Sequence, residues 1–458
     1  MAFHTDLQDT IVALATPNGI GAIALIRLSG PEAIALTNQV FHGKDLTQAA
    51  THTVHFGTIR DGDRILDEVL VSVFKEPRSF TKENITEISC HGSPYLAQQI
   101  IKLLIRQGAR PARAGEFTQR AFLHGQFDLA QAEAIADIIS ADSEAAHRAA
   151  MQQMRGGFSA EIKRLREKLV HFASMVELEL DFGEEDVEFA DRDDLRQLVE
   201  ELQKVIQALI ESFDVGNVIK NGVPTVIAGK PNAGKSTLLN ALLNEEKAIV
   251  SDVAGTTRDF IEDELILGGV SFRFIDTAGL RETTDVVEAI GVQRTHAKMK
   301  EASLILYLFD LVNEPLDEIL REVNRLENQG IPFIPIGNKL DLAPAEVRTA
   351  LENRGDFALI TAKGGEHLEV LKELILAKTN LAEFRTGDTL VTNVRHYDSL
   401  LRTRDSLSKV LEGLAANVTG DFLAMDIRQA LHYLGEITGE ITTDDLLANI
   451  FSKFCIGK

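Results

Sequence analysis

Positive charge, cysteine and long apolar runs are all scarce in this chain of 458 residues. Lysine and arginine number 47 against 69 aspartates and glutamates, a formal net charge of −22. That balance argues against a protein that coats nucleic acid nonspecifically, because counterion release needs a basic surface; RNA binding by a local patch stays open. The two cysteines, Cys90 and Cys455, lie far apart and form no C-x-x-C, so neither a disulfide framework nor a zinc site is indicated. No apolar run approaches membrane-spanning length, and the opening MAFHTDLQDT has no basic-then-apolar leader. The tail Cys455-Ile456-Gly457-Lys458 places a cysteine where a prenylation box would, but Gly and Lys are poor choices there and no polybasic run precedes it. Tryptophan is absent, yet 45% hydrophobic and 25% charged residues are ordinary for a globular protein. The expectation is a soluble, cytoplasmic protein of a reducing compartment, with about three domains and no membrane partner.

What is present divides the chain into blocks. Residues 1–120 read as a mixed α/β module, with strands at 11–15 and 22–28 separated by the turn Pro17-Asn18-Gly19. A helix opens at Ser29-Gly30-Pro31-Glu32, with Pro31 at an early helical position. Segments 53–59 and 66–74 flank Asp61-Gly62-Asp63 as a hairpin, followed by a strand at 84–89 and a helix at 94–107. From Asp128 the period becomes helical: Leu129, Ala132, Ile135, Ile138 and Ile139 share a face, and Asp128 with Gln131 forms an N-terminal cap. Helical character runs through 148–180, breaks near Gly156-Gly157 and resumes over 193–213, with the acidic run 184–194 between as a solvated connection. Residues 220–380 alternate strand and helix, with strands at 225–228, 272–275, 304–309, 333–336 and 358–360; this implies a parallel sheet covered on both faces. Helices return at 396–414, 425–438 and 444–454. The economical fold class is multidomain α/β plus α: an N-terminal α/β domain, and an all-α helical domain interrupted by an inserted α/β domain. The expected limits are 1–120, 121–217 for the first helical half, 218–382 for the insert, and 383–458 for the second half.

The insert carries chemistry. Gly229, Gly234, Lys235 and Ser236 stand at the G-x-x-x-x-G-K-S/T spacing between a short apolar strand and the helical stretch STLLNALL. The glycines let backbone N–H groups curl round a polyphosphate through Asn232, Ala233 and Gly234, while a helix N-terminus at Ser236 and Thr237 adds partial positive charge. Lys235 would reach the β/γ-phosphates, and the Ser236 hydroxyl would hold Mg²⁺. Asp276-Thr277-Ala278-Gly279 follows the strand at 272–275, where an acidic residue and a backbone N–H meet Mg²⁺ and the γ-phosphate. Between them, Ala254-Gly255-Thr256-Thr257-Arg258-Asp259 is small and polar, with Thr257 the candidate for a second Mg²⁺ hydroxyl. Asn338-Lys339-Leu340-Asp341 ends another strand, and the Asp341 carboxylate can accept from both guanine N1–H and the 2-amino group. Thr361-Ala362-Lys363 closes that pocket with backbone N–H groups. Four such elements in this order make a P-loop domain that binds GTP or GDP.

Lys-Pro-Asn-Ala-Gly-Lys-Ser together with Ala-Gly-Thr-Thr-Arg-Asp resembles the translation-factor class of GTPases, within its Era/Der/MnmE group. Ras-like enzymes place a water-orienting Gln where this chain has Leu280, which cannot hydrogen-bond water. The resemblance implies potassium dependence, marked by Asn232 in the P-loop. A K⁺ ion would be held by Asn232 and by the stretch Ser251-Asp252-Val253-Ala254-Gly255-Thr256, through Ser251, Val253 and Thr256, partly with backbone oxygens. Glu282, two residues past Leu280, is the candidate that orients the water; Arg258 or Arg281 acting as a finger in cis is the competing reading.

The flanks narrow the group. Ala15-Thr16-Pro17 through Ile26-Arg27-Leu28-Ser29-Gly30, Ser79-Phe80-Thr81-Lys82-Glu83 through Cys90-His91-Gly92, Gly115 through Leu123, Asp128 through Asp137 and the final Phe454-Cys455-Ile456-Gly457-Lys458 resemble the MnmE (TrmE) family of tRNA wobble-uridine modification GTPases over essentially the full length. That family implies a homodimer formed through the N-terminal domain, which is similar to folate-binding aminomethyltransferase modules. It implies a 5-formyl- or 5,10-methylene-tetrahydrofolate site at Arg27, Glu87, Gln126 and Lys458, and Cys455 as a reactive thiol. It also implies a flavoprotein partner, MnmG, which holds FAD, and a tRNA substrate whose wobble uridine receives an aminomethyl or carboxymethylaminomethyl group at C5. Two basic sets, Lys102/Arg106/Arg110/Arg113 and Arg148/Arg155/Lys163/Arg164/Arg166, are candidate tRNA contacts, with ordinary helix-surface solvation as the alternative. Competing functions are a ribosome-assembly switch of the Era/Der sort and a folate-dependent transferase with a purely regulatory G domain.

Overall fold

The computed structural model describes residues 8–181, 192–246, 263–275, 302–328, 330, 332–379, 389–416 and 418–457. The chain forms two compact units. One comprises residues 1–139, 152–206 and 398–458, the other 140–151 and 207–397.

In the first unit, β1 (Ile11–Leu14), β2 (Ile23–Ser29), β3 (Phe41–His42), β4 (Thr53–Asp61), β5 (Arg64–Phe74), β6 (Ile85–His91) and β7 (Arg110–Pro111) make a seven-stranded sheet in the order β3-β4-β5-β6-β2-β1-β7. All pairs are antiparallel except β1 with β7. The expected hairpin is β4–β5, turning at Gly62-Asp63; the short strands β3 and β7 were not expected. Helix α1 (Ala33–Val40) starts two residues past Pro31, which sits in the preceding turn rather than in the helix. With α2 (Pro94–Arg106) it packs Ile34, Leu36, Val40, Ile100, Leu103 and Leu104 against Val12, Ile26, Leu28, Val69, Val71 and Ile88 on one sheet face. Strict burial alternation in β5, with Asp67, Val69, Val71 and Val73 buried, leaves Glu68 and Leu70 exposed, as a half-covered antiparallel strand requires.

The rest of this unit is helical: α3 (Glu116–Leu123), α4 (Leu129–Ser140), α6 (Gly157–Asp181), the first half of α7 (Arg192–Asn221), most of α12 (Val394–Ala415), α13 (Gly420–Thr438) and α14 (Asp444–Phe451). Helix α5 (Glu144–Met154) is separated from α6 at Gly156, as the sequence indicates. The cap of α4 is reciprocal: Gln131 N–H donates to Asp128 Oδ1 at 2.8 Å and Asp128 N–H donates to Gln131 Oε1 at 3.0 Å. Residues distant in sequence close this helical part, with α6 packed on α13 and Leu129 and Ala132 against Leu447, Ile450 and Phe451.

In the second unit, β8 (Val223–Gly229), β9 (Asp263–Leu267), β10 (Val270–Phe274), β11 (Leu304–Asp310), β12 (Phe333–Asn338) and β13 (Ala358–Leu359) form a sheet ordered β13-β12-β11-β8-β10-β9. Five strands are parallel; β9 is an antiparallel edge strand hairpinned to β10 that the strand–helix alternation did not reveal. Helices α8 (Lys235–Glu246) and α11 (Leu368–Lys378) pack Leu238, Leu242, Leu371 and Ile375 on one face, and α9 (Leu316–Glu327) and α10 (Ala345–Arg354) pack Ile319, Val323 and Leu351 on the other. Buried on both faces, β8 reads Val226-Ile227-Ala228 without polar alternation. The order reverses at β8, so its carboxyl end is the switch point where such sheets bind ligands.

A buried charge network knits the first unit together. Arg120, fully buried in α3, pairs with Asp9, Glu83 and Glu116, while Arg110 bonds Asp9 and Glu116, each at 2.5 Å. Burial alone would raise the Asp9 and Glu116 carboxyl groups, but the two guanidinium groups outweigh it and hold both below their ordinary values. Their stabilisation is therefore full above the unfolded values near pH ~4 and is lost as pH falls further. Arg120→Met leaves three carboxylates short of a cation and should destabilise this unit by about 3–5 kcal/mol. Hydrogen exchange of the β1, β2 and β6 amides in the full chain checks this: faster exchange and a weaker acid dependence are expected, and unchanged protection would refute it.

Candidate functional site

The carboxyl ends of β8, β11 and β12 bring three sequence-separated segments to one edge of the second unit. β8 ends at Gly229, which pairs in register with Leu308, and Asp310 at the end of β11 faces Asn338 at the end of β12. The P-loop of residues 229–236 bends back through Asn232, whose left-handed φ of 61° is unusual outside glycine, and runs into α8 at Lys235. Asn232 and Thr237 are exposed, Ser236 half-buried, and Ala233 buried. Lys235 Nζ donates to the Gly229 and Lys230 carbonyls, each at 2.9 Å, so its ammonium lies over the loop.

Asn338 joins the phosphate side to the base side. Its Nδ2 donates to Ala233 O at 2.8 Å, and its Oδ1 accepts from the Ala362 N–H at 3.1 Å. Gly234 makes this possible: at φ 100°, a Cβ there would overlap Asn338 Nδ2. Lys339 is also left-handed, and its Nζ reaches Asp310 Oδ2 at 2.5 Å. Asp341 follows, exposed, with Leu340 N–H bonded to Ile360 O at 3.1 Å to hold the turn. Of the three backbone donors expected to close the base pocket, Thr361 N–H is engaged by Glu366 O and Ala362 N–H by Asn338; Lys363 is exposed. This edge offers curled backbone donors and an ammonium for phosphates, and an exposed carboxylate for a base. Ser251, Asp252, Val253, Ala254, Gly255, Thr256, Thr257, Arg258, Asp276, Thr277, Ala278, Gly279, Leu280, Arg281 and Glu282 lie outside the described residues.

A second constellation sits in the first unit. Arg27 and Glu87 are register partners on β2 and β6, and both guanidinium contacts to Glu87 Oε1 measure 2.8 Å. They therefore form one ion pair, with the two side chains still 18% and 21% exposed. The Arg27 guanidinium carbon lies 5.7 Å from the Phe80 ring centre and 5.8 Å from that of Phe117, and Phe127 packs on Phe80 at 6.0 Å. The C-terminal tail docks here: Arg27 Nη1 donates to Gly457 O at 3.4 Å, Gly115 N–H donates to Cys455 O at 3.3 Å, and Ile456 bridges Ala114. Cys455 is exposed at this edge. Gln126 is exposed in the turn after α3, a turn held by Lys82 Nζ bonds to the His124 and Gly125 carbonyls. Lys458 lies outside the described residues. Cys90 is a core thiol, pushed up to about 11 by burial and then by Asp67.

The aromatic rings and Asp310 were not singled out from the sequence. Asp310 ends its strand just as Asn338 ends the next, and that position was its available signal. The basic sets are largely committed to local partners: Arg106 to Asp61, Arg110 to Asp9 and Glu116, Arg148 to Glu144, Arg164 to Glu161 and Arg166 to Glu440. No helix among the described residues is long and apolar enough to cross a membrane.

Comparison with known proteins adds the following. The family described as "GTP-binding protein TrmE N-terminus" matches residues 10–126, and that described as "MnmE helical domain" matches 129–455. A protein of Cytophaga hutchinsonii named tRNA modification GTPase MnmE is 61% identical over 99% of this chain and 99% of its own length. Its namesake in Christiangramia forsetii is 56% identical over 99% and 100%. Among solved structures, the FeoB G-domain from Methanococcus jannaschii is 23% identical, covering 34% of this chain and 96% of that one, with a TM-score of 0.25.

Gly457 carries a test of the docked tail. Its φ is 99°, and a Cβ would overlap Leu14 O. Gly457→Ala is expected to lift the tail and speed exchange of the Gly115 amide by about tenfold, roughly 1.4 kcal/mol. Unchanged exchange at Gly115 would show that the tail is held without Gly457.

Proposed function

The chain belongs to the MnmE family of tRNA modification GTPases, and we propose that it is a potassium-activated GTP hydrolase that modifies the wobble uridine of tRNA with a flavoprotein partner. The product is an aminomethyl or carboxymethylaminomethyl group on C5, its carbon supplied by a tetrahydrofolate derivative. The observation that carries the reading is that one chain holds both a P-loop edge tied to a base-recognition strand and a carboxylate–guanidinium pair ringed by phenylalanines with the C-terminal tail against it.

On this reading the folate domain occupies 1–120, the helical domain 121–217 and 383–458, and the G domain 218–382. Asn338, Lys339, Asp341, Thr361, Ala362 and Lys363 bind guanine, while Asn232, Ala233, Gly234, Lys235, Ser236 and Thr237 bind the phosphates. Exposed Asn232 and half-buried Ser236 at the loop suit an ion beside those phosphates. Asn232, with Ser251, Val253 and Thr256, would hold K⁺, and Ser236 and Thr257 would hold Mg²⁺; bound there, the ions supply the positive charge that an arginine finger supplies elsewhere. Glu282 orients the attacking water.

In the folate domain, Glu87 keeps acceptor capacity beyond Arg27 and suits an amino-pyrimidine edge, and the partly exposed rings of Phe80 and Phe127 suit a flat heteroaromatic body, with the buried Phe117 backing Arg27. Gln126 and Lys458 complete that site, and Cys455 stands where it can meet the one-carbon donor. A second copy of the chain covers the open face of the sheet. Register places Val54, Phe56, Leu70 and Ile23 on the same face as Arg27 and Glu87, and all four are exposed. The protein then works as a cytoplasmic homodimer with MnmG, FAD being held by the partner.

GTP turnover measured in matched K⁺ and Na⁺ buffers tests the first half. A steep loss in Na⁺ is expected, together with a fall on the order of 10²-fold in Glu282→Ala; equal rates in the two salts would remove the potassium proposal. Titration of 5-formyltetrahydrofolate tests the second half. Saturable binding, weakened about tenfold or more in Glu87→Gln through loss of a charged acceptor, is expected, whereas a flat titration would favour a ribosome-assembly switch.

A further inference from the structure

The end of β11 and the loop that follows it, residues 310–315, belong to none of the nucleotide motifs, yet they grip both ends of the GTP site. Asp310, 4% exposed, accepts from Lys339 Nζ at 2.5 Å, Asn313 Nδ2 at 2.7 Å and Val312 N–H at 3.0 Å. Burial would raise this carboxyl, but these donors, Lys339 first among them, hold it below its ordinary value and charged. The Asp310 N–H donates in turn to Glu314 Oε1 at 2.8 Å. The other Glu314 oxygen lies 3.2 Å from Lys230 Nζ, which also meets Glu318 at 2.8 Å. Lys230 is the second residue of the P-loop, and its carbonyl receives Lys235 Nζ. A continuous polar path therefore runs from the base-recognition lysine, through Asp310 and Glu314, to the phosphate loop.

Both ends of that path need holding. Lys339 has a φ of 64°, a conformation that costs a non-glycine residue on the order of 1 kcal/mol. The ammonium of Lys230 would otherwise swing on a flexible stem. Two buried carboxylates, Glu314 being 8% exposed, would be a poor choice for stability alone, because desolvation offsets much of an ion pair's gain. Their cost is explained if the pairs fix geometry.

We propose that Asp310 and Glu314 are positioning residues for nucleotide binding, a clasp that sets the base-recognition strand end and the P-loop at their working separation before GTP or GDP arrives. Neither carboxylate touches the nucleotide; they act through Lys339 and Lys230. Lys339 at the base and the P-loop backbone that Lys230 anchors serve bound substrate and transition state alike, so loosening the clasp weakens binding without slowing the chemical step.

The test uses the full-length chain with Asp310→Asn, Glu314→Gln and the double variant. A fluorescent GDP analogue reports affinity, and GTP hydrolysis reports KM and kcat. Each single variant is expected to raise the GDP Kd and the KM for GTP about tenfold, roughly 1.4 kcal/mol, with kcat at saturation within about twofold. The double variant should lose less than the product of the two, because both act along one path. Glu314→Gln keeps an oxygen for the Asp310 N–H and removes only the charge facing Lys230, so it serves where Asp310→Asn fails to fold. Unchanged GDP affinity in Glu314→Gln, or a fall in kcat at constant KM, overturns the proposal. The proposal rests on the GTPase reading, and nucleotide binding by the unsubstituted chain tests that reading separately.

Discussion

A single buried carboxamide, that of Asn338, is the contact on which the nucleotide edge depends. It donates to the P-loop at Ala233 and accepts from the loop at Ala362, joining segments 105 and 24 residues away in sequence. The chemistry requires both a donor and an acceptor on one short side chain. An aspartate would set a carboxylate against the Ala233 carbonyl, and a leucine would leave a buried N–H and a buried C=O without partners, each costing about 1–3 kcal/mol. Because β11 and β12 pair Asp310 with Asn338, the same register that places this amide also places the carboxylate that steadies Lys339.

Scarce cations are spent inside a chain of net charge −22. Arg120 and Arg110 share Asp9 and Glu116, Arg27 is held by Glu87 beneath two aromatic rings, and Lys339 is held by Asp310. Arginine suits these places because its planar fork serves several acceptors at once and stacks on rings. Most of these groups therefore set the position of a strand end or a loop rather than offering a basic surface. The overall acidity describes the exterior; the function depends on a few cations it does not report.

Much of this was legible from the residues. The P-loop and the Asn338–Asp341 segment are local patterns in which spacing alone fixes which atoms can converge, and the cap of α4 is a local exchange between Asp128 and Gln131. The core strand 226–228 declared itself by continuous apolar character. What could not be read was set by pairing across distance. Arg27 and Glu87 become partners only through the β2–β6 register, and Gly457 meets Arg27 across 430 residues of sequence. The edge strand β9 escaped notice because a half-exposed strand of five residues, Asp-Glu-Leu-Ile-Leu, has too little alternation to separate from a loop.

The two sites share a construction that explains why their residues are hard to rank from sequence. In each, a glycine in the left-handed region lets a backbone segment approach closely enough to serve a polar node: Gly234 lies directly against Asn338 Nδ2, and Gly457 lies against the Leu14 carbonyl, which brings its own carbonyl to the Arg27 guanidinium that donates to it. The side chain that a sequence shows is the node; the part that makes the node work is a missing Cβ elsewhere in the chain. A charged or amide side chain on a surface strand is ordinarily a solvated one, and nothing in its own neighbourhood in the sequence distinguishes it. It becomes a site residue when a second segment comes close enough to use its hydrogen bonds, and that closeness is decided by glycine at the partner position. The identity of a site residue is thus distributed between two positions, one supplying the polar atoms and one supplying the room.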